Sequence, residues 1–163
     1  MLNQKEWKTK MSKLKILNSR KTKAILDSIE KQFNTRLELD CAFLQNRDGK
    51  IYIINRDISR IDEEKLRIDS IGLYIGTITA ELFRPSIEGS QIIGKNAKKN
   101  VIEIDKGQKS LWLRGYELET KEKDLYGFVI IRHGNDFMGS GKIKLGKILN
   151  YVPKARRINA SDI

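Results

Sequence analysis

Apolar positions change their period as the chain is read from its N-terminus. Ile25, Ile29 and Phe33 recur every fourth residue with Leu26 beside them, which predicts one helix with a single inward face. Asn18 and Ser19 stand where a helix cap is needed, because their side chains can accept from the first free amides. The pattern then shortens. Cys41–Gln45 and Lys50–Ile54 are apolar runs parted by a turn with Asp48 and Gly49, the signature of a β-hairpin. Asp57–Leu66 is charged and reads as a short helix or an extended connector. Ser70–Thr79 (SIGLYIGTIT) has the β-branched density of a strand. Gly72 and Gly76 mark a bend or a close backbone approach within it.

A second unit is expected after a break at Arg84, Pro85 and Ser86, which open a helix over IEGSQIIG. Val101–Ile104 reads as a strand, Gln108–Leu113 as a helical turn ending at Gly115, and Tyr116–Leu118 as another strand. Phe128–Arg132, Phe137–Ile143 and Lys147–Val152 follow as short strands with glycine at their corners. Such spacing predicts a small closed or nearly closed barrel. The fold class is α+β, with one domain over residues 1–79 and a second over 80–163. No Gly/Ser-rich linker separates them, so the two should pack together.

Charge sharpens this picture. Lys plus Arg number 32 against 21 Asp plus Glu, a formal surplus of +11, which favours phosphate-bearing partners. Residues 1–25 carry +7 and residues 141–163 carry +5, so the middle of the chain is close to neutral. A merely lysine-rich surface would not be expected to leave the middle balanced.

Catalytic chemistry finds little footing. Gly141–Lys147 spells G-x-x-x-x-G-K, but Ile148 stands where a phosphate-binding loop needs Ser or Thr for magnesium. The only cysteine, Cys41, sits in the apolar run CAFL, and neither Pro85 nor Pro153 precedes a cysteine. One histidine, His133, and one cysteine do not make the usual metal site, and no strand leads into a dinucleotide fingerprint. The expectation is a protein without catalytic residues, metal or cofactor. A lone cysteine suits a reducing cytoplasm, and no apolar run approaches the roughly 18 residues of a membrane span. The carboxylates Asp62, Glu63 and Glu64 read as a solvated connector. A deep pocket joining His133 to a buried carboxylate would reopen the enzyme reading.

Several segments together resemble a known group: KIYIINRDISRI, SIGLYIGTIT, NVIEIDKGQKSLWLRGYELE, YGFVIIRHGNDFMGSGK and KILNYVPKARRI. They are similar to the two-domain PUA proteins of ribosome biogenesis, of the NIP-seven type. They also resemble the PUA tail of RNA cytosine methyltransferases of the NOL/NOP/Sun family. The marks are Trp112, Leu113 and Gly115, and the strand, loop and Gly-x-Gly unit of Phe128–Arg132, Gly139 and Gly141. The ending VPKARRI departs from the NIP-seven type. The resemblance implies an N-terminal α/β pre-PUA domain followed by a C-terminal PUA-like β pseudobarrel that binds structured RNA, rRNA or tRNA. It places the RNA-binding charge on cations from Lys142 to Arg157.

The residues support that assignment in their own right. Lys142 and Lys144 alternate with Ile143 and Leu145, so a strand would turn both lysines outward. Lys147 and Lys154 extend the patch, and Arg156 and Arg157 follow Pro153 with forked donors for phosphate. Gly139 and Gly141 are expected to let RNA approach the main chain. Arg132 opens a polar loop with His133 and Asn135 that is either an RNA contact or a plain turn. Trp112 and Tyr116 read as core rather than stacking platforms, and Trp7, among lysines, is the better exposed aromatic. A rival reading is a specificity subunit docking to an RNA methyltransferase or assembly factor, which an exposed patch at Leu73, Tyr74 and Ile75 would favour.

Overall fold

Helix α1 (Ser19–Phe33) starts where its cap predicts: the Asn18 side-chain oxygen accepts from the Lys21 amide at 3.0 Å. It ends at Asn34 in the left-handed conformation. Ile25, Ile29 and Phe33 are buried as their spacing requires. The computed structural model describes residues 14–57, 71–80 and 82–159, so Trp7 and most of the 57–66 connector lie outside the described residues.

Five strands form an antiparallel meander in chain order: β1 (Lys15–Ile16), β2 (Ala42–Gln45), β3 (Lys50–Ile54), β4 (Leu73–Thr79) and β5 (Leu82–Pro85). The β2–β3 turn is built by Asn46, whose side-chain oxygen accepts from the amides of Asp48 (3.0 Å) and Lys50 (2.8 Å). Gly76 is the close approach foreseen, since a Cβ there would stand 2.5 Å from the Phe83 ring. The break expected between residues 79 and 80 falls in the β4–β5 hairpin, where Thr79 pairs with Leu82. The first sheet therefore takes its last strand from beyond that point.

Helix α2 (Ile87–Gly94) follows, capped by the Ser86 hydroxyl. It is gripped from two sides. A Cβ on Gly89 would lie 1.8 Å from the Ile75 carbonyl oxygen of β4, and one on Gly94 would lie 2.3 Å from the Phe137 ring. Phe137 belongs to the second sheet, so this short helix touches both sheets at positions that admit no side chain.

The second sheet runs β6 (Val101–Glu103), β8 (Phe128–His133), β9 (Asp136–Lys144), β10 (Lys147–Asn150) and β7 (Leu118–Glu119), with β6 parallel to β8 and the other pairs antiparallel. It is a curled half-barrel and not a closed one, because among the described residues its edge strands β6 and β7 are not paired with each other. Helix α3 (Lys106–Leu113), held by an Asp105/Gln108 capping box, links β6 to the β7 side. Its Trp112 is fully buried and donates from Nε1 to the Met138 carbonyl at 2.9 Å. The strand expected over Lys147–Val152 stops at Asn150, whose side-chain oxygen accepts from the Val152 amide at 2.8 Å.

Strand β8 explains the unbroken apolar run FVII. Val129 and Ile131 enter one core with Trp112, Met138 and Ile148, while Ile130 enters the other with Ile29, Phe33, Phe83 and Ile93. Alternation normally sends one face of a strand to water, but here both faces are covered, so β8 is a shared wall.

One polar side chain lies beside that wall. Gln32, buried on α1, accepts from the Phe83 amide at 2.9 Å and donates to the Phe83 carbonyl at 2.8 Å and to the Phe128 carbonyl at 3.3 Å. Phe83 lies on edge strand β5, so the Gln32 amide serves as the missing neighbouring strand. Asn100 donates to the Gln32 carbonyl at 2.8 Å and ties the same turn of α1 to the start of β6. Gln32→Met keeps the length of the side chain and removes its amide, leaving buried main-chain groups unpaired. It is expected to cost about 3 kcal/mol in urea unfolding. A cost near zero would contradict this role.

Candidate nucleic-acid interface

The basic C-terminal segment is carried by the β9–β10 hairpin and the strap that follows it. Lys144 and Lys147 face each other across a two-residue turn, where Leu145 and Gly146 take φ of 50° and 75°. Two positive φ values make a tight turn whose twist matches the strands. Leu145, 92% exposed, stands at its tip. This geometry also disposes of a phosphate-binding loop at 141–148: the motif spans strand, turn and strand, and no helix begins there.

After the hairpin, Pro153 leads into a single 3-10 turn, Lys154–Arg156. Lys154 is exposed. Arg156 donates to Glu88 on the first turn of α2 at 2.9 Å. Arg157 turns inward: its Nε donates to the Val152 carbonyl at 3.0 Å, and a Cβ on Gly115 would strike its guanidinium. The glycine after the Trp112–Leu113 pair thus makes room for Arg157, which fastens the strap to the end of α3, as does the Ile158 amide on the Leu113 carbonyl at 3.0 Å.

Acidic partners temper the charge of this region. Lys147 lies 3.8 Å from Glu117, and Arg132 donates to Glu103 at 2.6 Å. Lys142 is half-buried with its ammonium 5.6 Å from the centre of the Phe128 ring. Among the described residues Lys144 and Lys154 have no ion pair. These carboxylates went unread in the sequence because Glu103 lies 29 residues from Arg132, and Glu88 lies 68 from Arg156. Only the fold joins them.

Arg132 is not part of the hairpin cluster. It pairs with Phe137 at the β8–β9 end, whereas Lys144 lies at the far end of β9, roughly 20 Å away along the strand. The polar loop behaves as a structured turn. Glu103 accepts from the Gly134 amide at 2.7 Å, and that bond, followed by the one from Arg132, holds its carboxyl below the usual range. Asp136 is lowered in the same way by Lys109 at 2.8 Å. His133 bonds through Nδ1 to the Ile104 carbonyl at 2.7 Å, and both of these neighbouring carboxylates are exposed rather than buried.

The two glycines expected to open the main chain to RNA do something else. Gly139 and Gly141 are buried. A Cβ on Gly141 would stand 2.4 Å from Ile148 and 2.9 Å from the Trp112 ring, and one on Gly139 would stand 3.3 Å from Ile87. They make space for packing and present no open main chain. Trp112 is core, as read, while Tyr116 is 59% exposed. The patch that would mark a protein-docking face does not form, because Ile75 is buried and Tyr74 half-buried, leaving Leu73. Among the described residues no helix is long and apolar enough to cross a membrane, and no group of His, Cys, Asp and Glu is arranged to hold a metal.

Residues 99–158 match the family model of the methyltransferase RsmF PUA domain. That span runs from the residues before β6 to the strap that carries Arg157, and so contains the curled sheet, α3 and the basic hairpin. The matched segment, little more than a third of the chain, is thus similar to the PUA domain of RsmF-type methyltransferases, which is an RNA-binding domain in those enzymes. No curated protein sequence matches the chain.

Two measurements follow from this geometry. Gly141→Ala is expected to destabilise the protein by about 1–3 kcal/mol in thermal or denaturant unfolding, as an overpacked core does; an unchanged melting temperature would restore the open-backbone reading. In an NMR titration Glu103 is expected to lose its charge at lower pH than an ordinary glutamate, and Glu103 in Arg132→Ala to move back toward the ordinary value.

Proposed function

We propose that this chain binds structured RNA, rRNA or tRNA, through its PUA-like segment, and that it acts in the cytoplasm by binding, without catalysis, during ribosome assembly or RNA modification. The observation that carries this reading is the match of residues 99–158 to a PUA domain, joined to a basic hairpin and strap on that same segment. RNA is a dense line of phosphates, so affinity comes from several cations along one surface and falls with salt because releasing condensed counterions into saltier solution gains less entropy. Lys144, Lys147 and Lys154 are the exposed cations best placed for this. Arg157, by contrast, is held inward.

The family description favours a second role beside the first. The matched domain is named for a methyltransferase, so a grip on RNA supplied to a separate methylating or assembly partner fits the same surface. The resemblance to NIP-seven-type factors points to large-subunit assembly as the setting.

Replacing Lys144, Lys147 and Lys154 together by alanine is expected to weaken binding to every structured RNA tested. The dependence of log K on log salt should flatten by about 2–3. Fluorescence anisotropy over a salt series reads both quantities, and unchanged affinity and slope would overturn the assignment. Crosslinking in cells, followed by sequencing of the bound fragments, should enrich rRNA or tRNA; recovery of random messenger fragments would count against the proposed setting.

A further inference from the structure

Between the two sheets lies a cleft of about 180 Å³ that the basic hairpin does not use. Tyr74 of β4 and Tyr151, just past β10, both line it. The Arg84 guanidinium, from β5, sits 5.0 Å from the centre of the Tyr151 ring. Tyr151 meets Phe128 edge to face, 5.6 Å between centres at 83°, and Phe128 in turn carries Lys142. Arg84, Tyr151, Phe128 and Lys142 thus form a row with a cation at each end. Tyr74 is part of a similar group, with Tyr52 at 5.4 Å and the Lys50 ammonium at 5.9 Å.

The serine hydroxyls and the carboxylate lining the cleft are already bonded. The Ser140 hydroxyl donates to the Pro85 carbonyl, and the Ser86 hydroxyl donates to the Tyr74 carbonyl while accepting from the Gly89 amide. The lining carboxylate, Glu88, is bonded to Arg156. Arg84 has no carboxylate partner among the described residues, and the Tyr151 hydroxyl has no hydrogen-bond partner among them. Such a cleft offers flat π surfaces and positive charge without a free acid or base. That suits a flat ring attached to an anion.

We propose that this cleft seats one unpaired nucleotide of the bound RNA, its base stacked on the Tyr151–Arg84 pair and its phosphate drawn to Arg84 and Arg156. Tyrosine rings and guanidinium planes are both stacking partners for bases, and only bases free of a duplex can reach them. The inference rests on the RNA-binding reading and extends it. Tyr74, Arg84 and Ser86 precede residue 99, while Ser140, Tyr151 and Arg156 belong to the matched PUA span, so neither that span nor the residues before it form the seat alone.

Anisotropy titrations of the full chain with two RNAs of equal charge, a stem with an unpaired loop and a blunt duplex, test the idea. Tyr151→Ala and Arg84→Ala should each weaken binding of the stem-loop by about 5- to 100-fold, the range for losing one stacked base, and leave the duplex unchanged. Tyr151→Phe should retain the stem-loop affinity. Because Tyr151 also packs on Phe128, thermal melts accompany the series, and Arg84→Ala carries the test if Tyr151→Ala does not fold. A 2-aminopurine placed in the loop should be quenched by the parent protein and not by Arg84→Ala. Equal losses on both RNAs, or no loss on either, would overturn the seat while leaving RNA binding intact. Failure of the parent protein to bind either RNA would overturn the RNA reading itself.

Discussion

The fold depends on one glutamine amide doing the work of a strand. An edge strand leaves main-chain donors and acceptors unpaired, and burying them without partners costs more than the bonds themselves return. Gln32 meets both the amide and the carbonyl of Phe83 and reaches the Phe128 carbonyl as well. A helix, the edge of one sheet and an inner strand of the other are thereby set in one register. The Asn100 contact to the same residue's carbonyl fixes where β6 begins. Apolar packing alone would permit α1 to slide along the sheet; directional bonds from a buried side chain do not.

Much of this architecture was legible in the sequence where local physics decides. The i, i+4 spacing of Ile25, Ile29 and Phe33, the Asn18 cap, the helix start at Pro85 and Ser86 and the alternation of the strands each fixed an element to within a few residues. Gln32 was not legible: a glutamine beside an apolar stripe ordinarily faces water, and only the arrival of β5 gives it partners. The extent of β10 was missed for a similar reason, because Asn150 reads as a tolerable strand residue until its side chain is seen closing the next turn.

The candidate site was legible in charge and less so in geometry. The run from Lys142 to Arg157 was marked correctly as cationic, yet the fold sorts its members by role. Lys144 and Lys154 stay open to solvent, Lys147 and Arg156 meet glutamates, and Arg157 turns inward against Gly115. Arg132 is sent to the other end of β9. Nothing in composition separates a lysine that meets solvent from one that meets a glutamate dozens of residues away. The glycines failed for a different reason, since a missing side chain leaves space without saying whether ligand or core will fill it. At Gly141 the claim of Trp112 prevails. The cleft residues Arg84 and Tyr151 gave no signal, because their pairing joins opposite halves of the chain.

Strand β8 has a consequence for how portable the matched module is. Residues 99–158 hold the second core intact, but the opposite face of their sheet, with Val101 on β6, Ile130 on β8 and Phe137 on β9, is covered by α1, α2 and the first sheet. Moved alone into another protein, the same segment would carry an oily stripe down its back. A host must therefore supply a matching surface or repaint that stripe with polar residues, and the identity of those few positions becomes a record of what stands behind the module in each protein that uses it.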